Sequence, residues 1–301
     1  MNIFYALNSA WEFDFFKNDI FNQNLYKKKI NFHLFDNFTE VFSNDEINII
    51  VLNRLIKLSL IEVMINKLKP IAIFHLSDEW GVDKDYYNLY RVYDIKLLFH
   101  QYGLGKYNFD KTSSFQIPLG YASGFLQNKS FKNIAQSNHR KKYDFAFVGE
   151  LKNDREYMLD KFSKIFKNNV IHLSKTNWSN PNNQTIKPHE LFNLYKQSLF
   201  VPIGRGNISL DCFRIYEAIV AGAIPVMCGT SEEIKMTFNF YKKTPNIIVA
   251  DTWDKAVLIS KKYHADKDKL NNIILSNYSW FNDQITHINR KINLFEMSDK
   301  K

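Results

Sequence analysis

"LFVPIGRGNISLDCFRIYEAIVAGAIPVM", residues 199–227, decides how the chain is read. It opens on an apolar run of strand length, passes through a Gly-Arg-Gly loop, and closes on a second apolar run that extends to Gly229. Between the runs lies a helical segment carrying Arg214 and Glu217, three positions apart and therefore on one face. Ala218, Ala221 and Gly222 are small enough to let that helix pack closely. Strand, glycine loop, helix, strand is a parallel βαβ unit, and a glycine-rich turn entering a helix gathers backbone N–H groups that suit an anion. Gly204 and Gly206 then let the backbone turn and approach a ligand. Asn207 and Ser209 offer side-chain hydrogen bonds, and Ser209 or Asp211 caps the helix. Arg205 and Arg214 add planar guanidinium forks suited to phosphate, and Glu217, set back along the helix, is placed to accept from ribose hydroxyls. The competing reading is an ordinary Arg214–Glu217 ion pair on an exposed helix face.

The alternation continues on both sides of this stretch. Residues 143–151 read as a strand ending at a glycine, 153–168 as a helix, 170–175 as a strand and 187–198 as a helix with Pro188 in its first turn. A helix begins near Ser231, a strand follows at 246–251, a helix at 252–264, and a long helical region at 267–297. In the first half, 1–7, 30–35, 47–52, 70–76 and 95–103 read as strands, 54–69 as a helix, and 113–125 as extended chain. The polar, basic segment 126–142 reads as a linker. The expectation is an α/β protein of two doubly wound domains, residues 1–135 and 136–301, with parallel sheets whose carboxyl ends face each other across a ligand cleft.

The chain has 301 residues, 45% of them hydrophobic and 16% aromatic, enough to bury two cores. Its formal charge of +9 attracts anions, but the lysines are scattered, the longest cluster being Lys27-Lys28-Lys29. No arginine-rich arm and no zinc-finger spacing is present, which favours a small anionic ligand over nucleic acid. Cys212 and Cys228 form no Cys-x-x-Cys pair and read as buried thiols. The N-terminal residues do not resemble a signal peptide, and charges interrupt every apolar tract well short of a membrane span, so a cytoplasmic chain with no transmembrane segment is expected.

The segment "GRGNISLDCFRIYEAIVAGAIPVM" resembles the signature of exostosin-type glycosyltransferases: an Arg-Gly loop, a serine, Arg-x-Tyr-Glu-Ala, then Ala-Gly-x-Ile-Pro-Val. "YDFAFVGELKNDREYMLDKF" resembles the Phe-x-Gly segment of that family with its following arginine, and "FHLSDEWG" and "IPLGYASGF" resemble N-terminal segments of its ribitol-xylosyltransferase-like branch. The resemblance covers residues 143–250 best. It implies a GT-B fold of two Rossmann-like domains, an N-terminal domain on the acceptor side and a C-terminal domain binding a nucleotide-sugar, usually a UDP-sugar. It implies a glycosyltransferase acting on a glycan or glycoconjugate. Carried onto this chain, it places Arg205, Ser209 and Arg214 at the diphosphate and Glu217 at the ribose, with Gly149 and Arg155 bordering the site. Retaining GT-B enzymes commonly show Glu-x7-Glu; here Ser209 stands eight residues before Glu217, which favours inversion.

An inverting transfer needs a base for the acceptor hydroxyl. "HLSDEWG" follows the apolar strand "PIAIF", so Asp78 and Glu79 are the candidates, with His75 third; the alternative is that Asp78 closes a turn. Arg205 and Arg214 would stabilise the leaving diphosphate, so no metal cofactor is expected. The two Asp-Lys-Asp runs, 83–85 and 266–268, read as exposed charge, and His33, His100, His139, His172, His189, His264 and His287 show no metal-ligand spacing. A non-catalytic nucleotide-sugar or phosphate-binding module and a basic nucleic-acid-binding protein remain as the other readings. Sugar, acceptor identity and oligomeric state are open.

Overall fold

The computed structural model describes residues 1–26, 29–36, 47–102, 113–133, 141–174, 186–238, 240 and 244–298. Two parallel sheets organise them. The first contains β1 (Asn2–Ala6), β2 (Asn31–Phe35), β3 (Asn48–Asn53), β4 (Ala72–Leu76), β5 (Leu97–His100) and β6 (Ser113–Gln116), in the order β2-β1-β3-β4-β5-β6. The second contains β7 (Tyr143–Gly149), β8 (Asn169–Leu173), β9 (Ser198–Ile203), β10 (Ile224–Cys228) and β11 (Ile248–Ala250), in the order β11-β10-β9-β7-β8. Every residue of β1, β3, β4, β5, β9 and β10 is buried. Strands covered on both faces need apolar residues at consecutive positions, which is why they appear in the sequence as unbroken runs.

The helices are α1 (Phe13–Phe15), α2 (Gln23–Tyr26), α3 (Leu58–Leu68), α4 (Lys84–Val92), α5 (Arg155–Ile165), α6 (Pro188–Lys196), α7 (Phe213–Val220), α8 (Ser231–Thr237), α9 (Trp253–His264) and α10 (Lys267–Ser298). Among the features not foreseen from the sequence, two shape the core of unit one. Residues Phe16–Ile20 continue α1 as a π-helical turn, seating Phe16 and Phe21 edge-on against Phe74 at 5.4 Å each. Helix α4 forms in a segment whose buried residues are the tyrosines Tyr87 and Tyr90.

The described residues fall into two compact units. Unit one holds residues 1–119, Phe240 and the end of α10 from Gln284; unit two holds 120–238 and 244–283. The sequence reading set its joint near residue 135, which lies outside the described residues. Residues 120–133 belong to unit two because their apolar side chains pack there: Phe125 lies 5.3 Å from the Phe192 ring, and Phe131 lies 5.1 Å from both Tyr278 and Phe281. The linker expected at 126–142 therefore begins with packed residues, and its part at 134–140 lies outside the described residues. In unit two, Phe145, Phe162, Phe166, Phe200 and Trp253 centre the core; in unit one, the helices α3 and α4 close one face of the sheet with Ile61, Met64, Tyr87 and Tyr90. Truncating a core phenylalanine of this kind costs about 3–5 kcal/mol. No described helix is long and apolar enough to cross a membrane.

Candidate functional site

In unit two the chain moves from β7 outward to β8, then returns so that β9 lies on the other side of β7. The strand order therefore reverses between β7 and β9. In open α/β sheets ligands bind beyond the carboxyl ends of the strands at such a reversal. β7 ends on Gly149, and β9 ends on Ile203, directly before Gly204.

Both glycines make room for an arginine. A Cβ on Gly149, whose φ is +151°, would lie 2.7 Å from a terminal nitrogen of Arg214. A Cβ on Gly204 would lie 2.4 Å from Cγ of Arg155 and 3.0 Å from an Asp154 carboxylate oxygen. A side chain at 149 would collide with the Arg214 guanidinium, and one at 204 with the aliphatic stem of Arg155. Arg214 Nε donates to Val148 O at 2.8 Å. Arg155 donates from Nη1 to Glu150 O and from Nη2 to Arg205 O, each at 3.0 Å. Arg155 is buried, and its Nε has no hydrogen-bond partner among the described residues. Its pKa is lowered by burial and then by the like charge of Arg214, so the two guanidinium groups share one low-dielectric region. Paired guanidinium groups in that setting have the charge and donor geometry to hold a doubly charged anion.

Further bonds join the segment after β7 to the segment after β9. Lys152 Nζ donates to Asn207 Oδ1 at 2.6 Å, Asn153 Nδ2 to Gly206 O at 2.9 Å, and the Arg205 N–H to Asp154 Oδ1 at 3.1 Å. Gly206 and Asn207 thus serve in the loop-to-loop contact. Arg205 turns its fork elsewhere: it donates in bidentate fashion to Glu233 at 2.7 and 3.1 Å. The Arg205 guanidinium, with the Thr230 N–H, pulls the Glu233 carboxyl down to about 2. Glu233 also reaches back to Thr230 N at 2.8 Å while Thr230 Oγ1 accepts from Glu233 N, a capping box on α8. The Thr-x-x-Glu spacing at 230–233 is the signal by which the sequence could have revealed that contact. Arg205, Glu233, Asp154 and Trp253 line a cavity of about 310 Å³ beside the carboxyl ends of β10 and β11.

Helix α7 starts later than the sequence suggested. Its N-cap is Cys212, with extended φ and ψ and no side-chain cap, rather than Ser209 or Asp211. Asp211 Oδ1 instead accepts from the Tyr216 hydroxyl at 2.7 Å, and Ser209 Oγ accepts from Asp211 N at 3.2 Å. Because the cap lies three residues past Ser209 and one past Asp211, Arg214 falls on the first turn of α7, next to the β7 carboxyl end. The exposed-pair reading fails: Glu217 is only 3% exposed and Arg214 is half-buried. Burial pushes the Glu217 carboxyl up to about 7 against the opposing field of Arg214 and the Ala122 N–H, which donates to Glu217 Oε1 at 3.3 Å. Tyr195, wholly buried and unmarked in the sequence reading, lies within the fields of Arg214 and Glu217, and burial raises its pKa.

The base candidates lie in unit one, on the loop after β4. Asp78 is buried; its Oδ1 accepts from Val82 N at 2.9 Å, while its Oδ2 has no hydrogen-bond partner among the described residues. Burial raises its pKa. Asp78 thus closes the turn with one oxygen and leaves the other buried and unpaired among the described residues. Glu79 is half-buried. His75 is buried between Tyr90 Oη and Asp83 Oδ2, each 2.8 Å from a ring nitrogen.

Asp83, read from the sequence as exposed, is therefore buried against His75. In the second Asp-Lys-Asp run, Asp266 accepts from Lys269 N at the start of α10. Among the described residues no group of three or more His, Cys, Asp and Glu side chains is placed to hold a metal ion. His33 stacks on Phe4, His264 contacts Asp144, and burial lowers the His100 pKa to about 4. His139 lies outside the described residues. Cys212 and Cys228 are free thiols.

Structural comparison finds this fold in Anabaena Alr3699/HepE. The complex with UDP and glucose matches over 99% of this chain and 100% of that one, at 10% identity and a TM-score of 0.52. The complex with UDP-glucose matches over the same shares at 9% identity and a TM-score of 0.51. No family model matches the chain, and no curated protein matches it in sequence. The exostosin-type resemblance thus rests on the motif residues. The chain has the GT-B type of α/β fold, with a parallel Rossmann-like sheet in each unit.

Proposed function

We propose that the chain is a glycosyltransferase of exostosin-like type that moves a sugar from a UDP-sugar to a hydroxyl of a glycan or glycoconjugate. The observation that carries this reading is the pair of arginines, Arg155 and Arg214, in spaces left by Gly204 and Gly149 at the strand reversal of unit two. The complexes of Anabaena HepE with UDP and glucose and with UDP-glucose support the choice of donor class.

In this reading Arg214 and Arg155, with the first-turn amides of α7 and Ser209, hold the diphosphate. Glu217 takes the ribose. Arg205 acts mainly by tying Glu233 and α8 to the donor loop. The acceptor oxygen forms a bond to the anomeric carbon as the bond from that carbon to the diphosphate breaks, with inversion. The acceptor proton passes to Asp78, or to Glu79, and the negative charge released on UDP is stabilised by the two guanidinium groups. No metal enters this scheme, and turnover should persist in excess EDTA; loss restored by manganese or magnesium would refute that point.

A thermal-shift panel of UDP-, GDP-, CMP- and dTDP-sugars tests the donor class. Binding to the folded state raises the melting temperature by mass action, so UDP-sugars should give the largest increase. Release of UDP from the best donor then separates an enzyme from a binding module.

A further inference from the structure

A buried hydrogen-bonded chain runs along the carboxyl edge of the sheet in unit one. Glu12 follows β1, where the order β2-β1-β3 places the reversal of this sheet between β1 and β3. Glu12 and Gln101 are 2% and 1% exposed. Gln101 Nε2 donates to Glu12 Oε1 at 3.0 Å, and Gln101 Oε1 accepts from Ser77 N at 2.9 Å. The backbone N–H of Gln101 also donates to His75 O at 3.2 Å. One side chain thus ties the segment after β1 to the loop after β4.

Ser77 is where that tie matters. Its φ is +67°, a left-handed conformation that a non-glycine residue keeps only when its surroundings hold it. Six residues on, Asp83 is fixed by His75. Asp78 and Val82 close the loop between these anchors. Burial raises the Glu12 carboxyl to about 7 while the Gln101 amide opposes that rise, and either protonation state offers Gln101 an oxygen.

We propose that Glu12 and Gln101 are positioning residues that set the 77–83 loop and, through Ser77, orient the Asp78 carboxyl, whose Oδ2 is buried and unpaired among the described residues. The inference rests on the reading of Asp78 as the base. Neither residue touches substrate; each acts through the loop.

The test uses the full chain, with UDP-glucose hydrolysis as the activity probe, UDP calorimetry as the donor-site control, and amide exchange at Val82 as the loop readout. Glu12→Ala and Gln101→Ala should lower kcat roughly tenfold to a hundredfold, the scale of a small misplacement of a reacting group, with KM and UDP affinity unchanged. Exchange at Val82 should accelerate in both. Glu12→Gln keeps an oxygen for Gln101 and should restore both kcat and protection, which a general loss of packing would not do. Wild-type exchange and kcat in Glu12→Ala, beside an inactive Asp78→Asn, would overturn the positioning role and leave the base reading intact. Wild-type kcat in Asp78→Asn would remove the base reading, and with it the catalytic meaning of the chain. Variants that fail to fold are replaced by Glu12→Gln and Gln101→Met, for which preserved and lost protection respectively are expected, the methionine removing both side-chain bonds at similar volume. The reverse pattern would overturn the proposal.

Discussion

The two units are built on the same topological plan and differ in what they place at the carboxyl edges of their strands. Unit two carries two arginines there: Gly149 leaves room for the Arg214 guanidinium and Gly204 for the aliphatic stem of Arg155. Unit one carries carboxyl groups, Glu12, Asp78 and Asp83, with His75 among them, all buried. Burial disfavours charge of either sign, so neither set is a product of folding alone. A cationic edge suits a diphosphate that gains charge as it leaves. An acidic edge, with burial raising the Asp78 carboxyl pKa, suits a hydroxyl that must lose a proton. The same scaffold can thus serve two opposite electrostatic tasks through a handful of loop residues.

The comparison breaks most visibly at Asp78. Asp78→Asn removes the proposed proton acceptor but keeps the turn, because the amide oxygen can still accept from Val82. Turnover should fall roughly 10²–10⁴-fold, with UDP affinity unchanged by calorimetry. Equal rates in wild type and in both Asp78→Asn and Glu79→Gln would place the base elsewhere.

The next effect is on pH-dependent stability. Glu12 and Glu217 both rise from 4.5 to about 7 in the folded chain. The folded state then binds more protons than the unfolded state between these values, so each group's contribution is full below about 4.5 and is lost as pH rises to about 7. For one group this is on the order of 3 kcal/mol. His100, lowered to about 4, works in the opposite sense between about 4 and 6.5. The measurement is therefore a difference: melting temperature against pH for wild type minus Glu217→Gln. The difference should narrow in favour of the variant as pH rises through 5–7. A flat difference would mean that Glu217 is not held protonated.

The smallest expected effect sharpens the contrast between two arginines of one motif. Arg205→Ala removes a partly exposed ion pair with Glu233, so stability should drop by under about 1 kcal/mol and UDP affinity by only a few fold. An affinity loss as large as that of Arg214→Ala would return Arg205 to the diphosphate.

The fold was legible because consecutive apolar residues are forced on strands buried on both faces. This holds best for β4, β9 and β10, and for the helix between β9 and β10, whose Arg214 and Glu217 broke an otherwise apolar pattern. The rest depended on contacts between distant residues. Nothing local in "DYYNLYRV" distinguishes α4 from a polar loop, since the buried positions are tyrosines whose hydroxyls need partners elsewhere. The cap at Cys212 could not be read, because Ser209 and Asp211 have the better capping chemistry and use it within the loop. The division between Arg205 and Arg214 was invisible for the same reason: one finds Glu233 across α8, while the other finds Val148 on β7. Glu12 and Gln101, far apart in the chain, gave no motif at all.

The central claim is that the donor diphosphate binds at the β7–β9 reversal through Arg214. Calorimetry of UDP against wild type and Arg214→Ala, with circular dichroism confirming that both are folded, tests it most directly. Loss of hydrogen bonds from a charged group predicts a Kd weakened roughly tenfold to a hundredfold. An unchanged Kd in a folded variant would contradict the site.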